Sequence, residues 1–220
     1  MIKRDDTYRH LGMRNQLVEE LKRKGIKNEA VLRAIGNIPR HLFIEESKFT
    51  AFAEKAYSDI AFPIGAGQTI SHPYTVAFQT ELLEIKKGDK VLEIGTGCGY
   101  QTAVLLEMGA KVFSIERIKS LYEKTRVLLP KIGYSPRFFY GDGYKGLPFH
   151  APFDKIIVTA AAPYIPKDLL LQMKENARMI IPIGEGVEQT MNLLTRKNGT
   201  EFEKCELGKF KFVPMLNDKS

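Results

Sequence analysis

The chain is poor in cysteine, with Cys98 and Cys205 as its only two in 220 residues. Two isolated cysteines exclude the disulfide framework of a small secreted protein and a cysteine-rich zinc cluster. The sequence also lacks an apolar run approaching the ~20 residues that cross a membrane. No apolar stretch follows the charges of residues 1–6, so we expect no signal peptide. These absences predict a cytoplasmic protein that does not bind a membrane.

Acidic residues are outnumbered, since 33 basic and 26 acidic side chains give a net charge of +7. A positive excess can indicate nucleic-acid binding, but here it lies at the two ends of the chain. Residues 1–40 carry ten basic and five acidic side chains, and residues 196–220 carry six and four, whereas residues 41–195 carry 17 of each. Nucleic-acid enzymes more often spread basic and aromatic side chains over one working surface. We therefore expect no nucleic-acid partner and interpret the terminal charge as solvated polar faces.

The first third of the chain predicts helices followed by an irregular segment. Residues 7–24 are amphipathic and precede Gly25, a typical residue after a helix end. Asn28 is a good N-cap for a second helix over residues 29–35. From residue 39 to residue 73 the apolar pattern is short and broken, and Gly65-Ala66-Gly67 predicts a flexible loop.

Beyond residue 73, short apolar runs alternate with amphipathic segments. The predicted strands are residues 90–94, 111–115, 137–140, 155–159 and 178–183, and the predicted helices are residues 74–83, 100–108, 118–129 and 167–173. This alternation predicts an α/β fold with a mostly parallel, doubly wound sheet. Residues 191–196 and 201–207 flank an Asn-Gly pair and predict an antiparallel hairpin that closes the sheet.

Three glycines separate the first predicted strand of this region from its helix, in the run Val91–Tyr100 (VLEIGTGCGY). Glycines at this spacing allow a tight turn and let a ligand approach the main chain. The spacing is G-x-G-x-G, and Tyr100 stands where the dinucleotide motif G-x-G-x-x-G requires glycine. Hydride transfer with a dinucleotide is therefore disfavoured.

Three acidic residues lie near the carboxyl ends of the predicted strands, at the same edge of the sheet. Glu116 lies 17 residues after Gly99 and can accept hydrogen bonds from both hydroxyls of a ribose. Asp142, before Gly143, can accept from an exocyclic amine or form a turn. Glu93 lies within a strand, where an unpartnered carboxylate is costly. These residues predict a nucleoside site without a phosphate-binding cation beside the glycine turn. S-adenosylmethionine fits, and the chain resembles the Rossmann-like methyltransferases.

A second motif, Gly65–Tyr74 (GAGQTISHPY), precedes the first helix of the predicted sheet region. With Val91–Tyr100 it resembles the protein-L-isoaspartate O-methyltransferase family. The similarity continues through GNIPRHLFI at Gly36–Ile44, APFDKIIVTAA at Ala151–Ala161 and the Phe212-Val213-Pro214 segment, so it covers nearly the whole chain.

The resemblance implies S-adenosylmethionine-dependent methylation of the free α-carboxylate of L-isoaspartyl residues in damaged peptides and proteins. It implies one methyltransferase domain over residues 1–220, in which residues 1–73 cover the active site and residues 74–220 form the cofactor-binding core. A monomer is expected. By position Ser71 matches the active-site serine, and Ser71, Val213 and Pro214 match substrate contacts. The matching cofactor contacts are His72, Pro73, Tyr74, Thr75, Glu93, Gly95, Thr96, Gly97, Gly99, Glu116, Asp142, Gly143 and Gln189.

The local sequence leaves some alternatives open. Ser71 is followed by Pro73 and could be an ordinary helix N-cap. Asn176-Ala177 stands where the family commonly has Gly-Gly, so that turn must form differently. His10, His41 and His150 are separated along the chain, so no metal site is expected. The other functions considered are a related methyltransferase with an RNA or small-molecule acceptor and a non-catalytic nucleoside-binding module.

Overall fold

The computed structural model describes residues 6–44 and 55–220. The α-helices of this part are α1 (Tyr8–Arg23), α2 (Glu29–Asn37), α3 (Pro73–Leu83), α4 (Tyr100–Glu107), α5 (Lys119–Lys131) and α6 (Lys167–Leu171). The strands are β1 (Phe62–Gly65), β2 (Gln68–Ile70), β3 (Lys90–Ile94), β4 (Lys111–Glu116), β5 (Arg137–Tyr140), β6 (Phe153–Val158), β7 (Met173–Ile183), β8 (Gln189–Arg196) and β9 (Phe202–Phe210). Single-turn 3-10 helices cover Arg40–Phe43 and Pro148–His150.

Seven strands form one sheet in the order β5-β4-β3-β6-β7-β8-β9. The five strands β3 to β7 run parallel to one another. Strand β8 is antiparallel to both of its neighbours, β7 and β9. The predicted α/β fold and its C-terminal hairpin are confirmed. The strand order also changes direction between β3 and β6, which makes their carboxyl ends the switch point where open sheets bind ligands.

Alternate residues of the central strands pack on opposite faces of the sheet, as the strand period requires. Val91 and Ile157 belong to one buried cluster, whereas Leu92, Ile156 and Leu169 belong to another. A further cluster joins the N-terminal helices to α4 and α5. Both faces of the sheet are therefore covered, which explains the nearly continuous apolar composition of β3 and β6.

The N-terminal helices form where the sequence predicts them. Thr7 accepts from the backbone of His10 at the start of α1, and Asn28 accepts from Ala30 and Val31 at the start of α2. Gly25 follows α1 with φ of 99°. The last turns and caps of these helices therefore follow from local sequence.

Some element bounds differ from the prediction. The hairpin of β1 and β2 was not predicted, because the two strands are only four and three residues long. Helix α6 ends at Leu171 and β7 already begins at Met173. Asn176 has φ of 61° beside a register shift in the β6–β7 pairing. Asn tolerates this left-handed conformation, so Asn176-Ala177 makes an irregularity inside a long strand instead of a Gly-Gly turn.

Two histidines that lie far apart in the sequence meet in the fold. The rings of His10 and His41 stack with centroids 4.0 Å apart, and possible ligand atoms of Asp6, His10 and His41 lie within 4.8 Å of one another. Separation along the chain therefore does not keep His10 and His41 apart in the fold. Both oxygens of Asp6 accept from Arg14, at 2.6 and 2.8 Å, so this acid already neutralises a buried cation.

Within residues 6–44 and 55–220, no helix combines the length and the apolar character needed to cross a membrane.

Candidate active site at the carboxyl ends of the parallel strands

A pocket opens at the carboxyl ends of β3, β4 and β6. The glycine turn after β3 forms one wall, and the loop that ends at Ser71 and the segment after β9 form others. The lining includes Thr69, Ser71, Gly95, Thr96, Gly97, Cys98, Glu116, Arg117, Gly143, Thr159, Val213, Pro214 and Met215. The structure therefore brings together the two glycine-containing motifs of the sequence, residues 65–74 and residues 91–100.

Gly95 begins the turn with φ of 94°. A Cβ added there would lie 2.5 Å from Oγ1 of Thr159. That hydroxyl donates to the carbonyl oxygens of Ile94 and Gly95, which lie 2.9 and 2.7 Å away. Glycine is required because both the backbone conformation and the position of Thr159 exclude a side chain.

Glu116 lies at the end of β4 and lines the pocket. Its Oε2 accepts from the backbone N–H of Gly97 at 2.8 Å, and its Oε1 accepts from that of Ile118 at 2.9 Å. Burial raises the pKa of this carboxyl above its usual value. Each carboxylate oxygen has a lone pair left after these bonds, so Glu116 can still accept from a ligand while it holds the glycine turn.

Glu93 does not line the pocket, because it is fully buried beneath the turn. Its Oε2 accepts from Thr102 at 2.5 Å and from Ser114 at 2.6 Å. Since the Ser114 hydroxyl donates to Glu93, the Thr96 hydroxyl, 2.6 Å away, donates to Ser114. Burial raises the pKa of Glu93 to about 7. Glu93 therefore contacts the pocket through Thr96, a residue of the turn itself.

Gly143 lines the pocket, whereas Asp142 does not. Oδ1 of Asp142 accepts from the backbone N–H of Tyr144 at 2.9 Å, which is the turn-forming alternative considered for this acid. The other carboxylate oxygen of Asp142 has no hydrogen bond among the described residues. The turn and a ligand contact are therefore compatible.

Ser71 lies where this pocket meets a second one. The second pocket is lined by Ala61, Thr69, Ser71, His72, Thr75, Thr159, Lys211, Phe212 and Val213. Within the described ranges the Ser71 hydroxyl has no hydrogen-bond partner. Helix α3 is capped by a different residue, because Oδ1 of Asp59 accepts from the backbone N–H of Tyr74 at 2.8 Å. The alternative that Ser71 is the helix N-cap is wrong.

The residues after Ser71 have distinct positions. His72 and Thr75 line the second pocket, and Nδ1 of His72 donates to the carbonyl of Asp59 at 2.9 Å. Pro73 is the first residue of α3. The ring of Tyr74 packs against Phe78 and Phe210 and lines neither pocket. This loop is therefore held from the Asp59 side, with Ser71 at the junction of the pockets.

The segment after β9 forms the opposite wall. The carbonyl of Val213 accepts from the N–H of Ala161 at 2.8 Å, and Ala161 accepts from Met215 at 2.6 Å. Gln189 lines neither pocket. Its side chain instead accepts from the N–H of Phe212 at 3.0 Å and donates to Gly186. Gln189 thus fixes the start of the wall that contains Val213 and Pro214.

Among the residues that sequence reasoning missed are Thr159, in the pocket wall, and Arg40, behind it. Thr159 is polar and directly follows the apolar run of β6 at the carboxyl edge of the sheet, which is a signal that could have identified it. Arg40 gave no such signal, because its role depends on distant carbonyl groups. It is fully buried and donates to the carbonyl of Ser71 at 3.0 Å.

Comparisons with known proteins point to one family. A family model described as Protein-L-isoaspartate(D-aspartate) O-methyltransferase (PCMT) matches residues 12–220. The protein-L-isoaspartate O-methyltransferase of Christiangramia forsetii is 62% identical over 216 residues, which are 98% of this chain and 99% of that protein. The one of Salinibacter ruber is 45% identical over 224 residues, covering 97% and 95%.

Two solved structures are also similar. One protein-L-isoaspartate O-methyltransferase gives a TM-score of 0.81 at 29% identity, over 91% of this chain and 65% of that chain. A protein-L-isoaspartate O-methyltransferase from Plasmodium falciparum, in complex with S-adenosyl-L-homocysteine, gives 0.75 at 28% identity, over 91% and 97%. The chain thus spans nearly all of its curated relatives and just under two thirds of the first structure. It belongs to the protein-L-isoaspartate(D-aspartate) O-methyltransferase family.

Proposed function

We propose that this protein moves a methyl group from S-adenosylmethionine to the free α-carboxylate of L-isoaspartyl residues in damaged proteins and peptides. Family membership supports the reaction. The observation that carries it in this chain is the Ser71 hydroxyl, which has no partner among the described residues and lies at the junction of the two pockets. One pocket fits the cofactor, and the other fits the acceptor.

The first pocket suits an adenosine that bears an amino acid. The glycine turn leaves room beside its main chain, and Glu116 keeps lone pairs for ribose hydroxyls. Arg117 lines the pocket, but its guanidinium donates to the carbonyls of Asp218 and Asn217, so it is committed to the C-terminal segment and not to a phosphate.

We assign the cofactor contacts in two groups. Direct contacts are proposed for pocket-lining residues, and supporting contacts for residues behind them. The first group comprises Gly95, Thr96, Gly97, Glu116 and Gly143 in the first pocket. His72 and Thr75 line the second pocket, and we assign them to this group at the junction where the two pockets meet. The second group comprises Pro73, Tyr74, Glu93, Gly99, Asp142 and Gln189.

The acceptor chemistry needs no general base. A carboxyl group with a pKa near ~4 is ionised at neutral pH, so the nucleophile is already formed. The bound cofactor supplies an activated methyl group and a sulfonium leaving group. The protein must orient the acceptor oxygen, and good orientation can contribute ~7–11 kcal/mol. Ser71 donates a hydrogen bond to the acceptor carboxylate and holds it in place.

The product of this transfer is a methyl ester, and its chemistry explains the repair. The neighbouring backbone amide nitrogen attacks the ester carbonyl and displaces methanol, which closes a succinimide ring. Water then opens the ring, partly to a normal aspartyl residue. We assign contacts with the backbone of the substrate to Val213, which lines both pockets, and to Pro214, which lines the first. Lys211 lines the second pocket and adds positive charge where an anion enters.

The organisation of the chain fits this division of tasks. We propose one domain, in which residues 1–73 cover the active site and residues 74–220 bind the cofactor. Packing of α1 and α2 in one buried cluster with α4 supports this cover. We further propose a cytoplasmic monomer that requires neither nucleic acid nor a membrane. Its two free cysteines, Cys98 and Cys205, suit a reducing compartment.

A paired peptide assay tests the reaction. One peptide contains an L-isoaspartyl residue, and its twin contains aspartate at the same position. Transfer of labelled methyl from S-adenosylmethionine to the first peptide alone is expected. Equal labelling of both peptides would indicate a different acceptor, and cofactor binding without labelling would indicate a non-catalytic nucleoside-binding module. Either result contradicts the proposal.

A further inference from the structure

We propose that Arg40 is a positioning residue for the methyl transfer, because its guanidinium fixes the main chain of Ser71 relative to the glycine turn. This inference rests on the proposed function of Ser71. Arg40 lies in the 3-10 helix Arg40–Phe43, 31 residues before Ser71, and lines neither pocket. It therefore acts through Ser71 and does not touch the reacting groups.

The guanidinium of Arg40 connects three parts of the chain. One terminal nitrogen donates to the carbonyl of Ala56 at 2.6 Å. The other donates to the carbonyls of Ile60 at 2.9 Å and Ser71 at 3.0 Å. A planar fork with several fixed donors can reach all three oxygens at once, whereas a lysine ammonium is a compact point charge.

Two aromatic rings hold the same guanidinium from its faces. Its central carbon lies 5.3 Å from the ring centre of Phe62 and 5.4 Å from that of Tyr100. Phe62 begins β1, in the hairpin that leads to Ser71, and Tyr100 is the first residue after the glycine turn. Arg40 therefore contacts both the loop that ends at Ser71 and the first residue of α4, and it fixes their relative position.

The charge of Arg40 is fully buried. The side chain is 0% exposed, and no carboxylate of residues 6–44 or 55–220 forms an ion pair with it. Such a cation is costly to bury, and carbonyl dipoles and ring faces supply what stabilises it. The guanidinium binds the carbonyl oxygens of Ala56, Ile60 and Ser71 together, so the buried Arg40 fixes three main-chain positions relative to one another.

The Ser71 main chain is thereby held from two sides. Arg40 binds its carbonyl, while Asp59 binds the N–H of Tyr74 and the ring of His72 on the following residues. The Ser71 hydroxyl itself, at the pocket junction, has no hydrogen-bond partner in the described part of the chain. A displacement of about 1 Å at such a position can reduce turnover ~10²-fold.

A test compares Arg40→Lys with a matched change in the same N-terminal region, Arg14→Lys. Arg14 is also buried, at 5% exposed, and its guanidinium binds Gly36 and Asp6, but it does not contact Ser71. With S-adenosylmethionine and an isoaspartyl peptide, we expect Arg40→Lys to lower kcat about 10- to 100-fold and Arg14→Lys less than about twofold. The affinity for S-adenosylhomocysteine should stay within about twofold in both.

A double-mutant cycle shows whether Arg40 acts through Ser71. In a Ser71→Ala background, Arg40→Lys should cause little further loss of kcat, because the group it positions is gone. Equal losses with and without the Ser71 hydroxyl, or an unchanged kcat in folded Arg40→Lys protein, would overturn the inference. Where Arg40→Lys does not fold, Arg40→Gln takes its place, because its amide keeps a donor but cannot reach all three carbonyl oxygens.

Hydrogen exchange at the backbone amides of residues 70–76 decides the inference independently of catalysis. We expect faster exchange in Arg40→Lys than in Arg14→Lys, both with S-adenosylhomocysteine present, because the loop loses its anchor. Equal exchange contradicts the inference. A wild-type protein that does not methylate the isoaspartyl peptide contradicts the proposed function instead, and the exchange result still applies.

Discussion

The carboxylate of Asp59 accepts a hydrogen bond from the backbone N–H of Tyr74 at 2.8 Å, although Asp59 lies 15 residues before Tyr74 in the chain. This bond satisfies a donor at the start of α3 that local sequence would assign to Ser71. Because Asp59 caps the helix, the Ser71 hydroxyl can face the junction of the two pockets. Asp59 therefore stabilises the start of α3, and Ser71 is left for catalysis, although local sequence allows both roles for Ser71.

Removing this cap should lower stability. We expect Asp59→Ala to reduce the free energy of unfolding by about 0.5–2 kcal/mol, the usual cost of losing a cap acceptor. The partly exposed ion pair of Asp59 with Lys24 adds little. Asp59→Asn retains an acceptor oxygen and serves as the control. Urea unfolding measures both, and equal stability of the two variants would contradict the assignment.

Removing the Ser71 hydroxyl should affect turnover and not stability. We expect Ser71→Ala to lower kcat about 10- to 100-fold, since a hydrogen bond to a charged group contributes about 1.5–3 kcal/mol. The melting temperature and the affinity for S-adenosylhomocysteine should not change. Ser58→Ala, outside both pockets, is the control. A lower melting temperature with unchanged turnover per folded molecule would return the cap role to Ser71.

Replacing the acid at the end of β4 should weaken cofactor binding. Glu116→Gln replaces one acceptor oxygen by an amide that cannot accept from Gly97 or Ile118. We expect the Kd for S-adenosylhomocysteine to rise about 10- to 100-fold. Calorimetry with an analogue that lacks the ribose hydroxyls provides the control. The wild type should bind this analogue more weakly than S-adenosylhomocysteine, and Glu116→Gln should weaken binding of the analogue little further. An equal effect on both ligands argues against a ribose contact.

The stability of the protein should depend on pH through Glu93. Burial raises the pKa of this carboxyl from 4.5 to about 7 in the folded protein, so the folded state binds a proton more readily than the unfolded state within that range. The free energy of unfolding then decreases as pH rises from 4.5 to about 7, by about 3 kcal/mol.

Glu93→Gln tests this dependence, because glutamine does not titrate. The variant should lack that decrease, while Glu123→Gln, at an exposed and unpaired position among the described residues, should keep it. Urea unfolding of the ligand-free proteins at several pH values measures the difference. Parallel curves for wild type and Glu93→Gln would show that Glu93 does not titrate in this range.

Local sequence was sufficient for the elements whose ends have strong signals. Asn28 and Gly25 predict the boundary between α1 and α2, and both have the expected roles. The glycine turn after β3 was predicted from the same kind of signal, since positive φ favours glycine. The fold class followed because apolar strands alternate with amphipathic helices, a pattern that requires a sheet covered on both faces.

Local sequence was insufficient where a partner is distant. The family resemblance implies that Glu93 and Gln189 contact the cofactor, yet both lie behind the pockets, and their contact with the cofactor stays a proposal. Local sequence also missed the short hairpin of β1 and β2, because three or four residues give too little periodicity. The sequential order of β7, β8 and β9 was left open by residue patterns.

Residue types at short spacing are sufficient to predict the doubly wound sheet, the glycine turn and the resemblance that points to methyl transfer. Long-range packing is needed to show that Asp59 caps α3, that the Ser71 hydroxyl is left for the pocket, and that Arg40 binds the Ser71 carbonyl. The physical reason is that burial obliges polar groups to find partners, and the partner of a buried group is selected by the packing of distant segments.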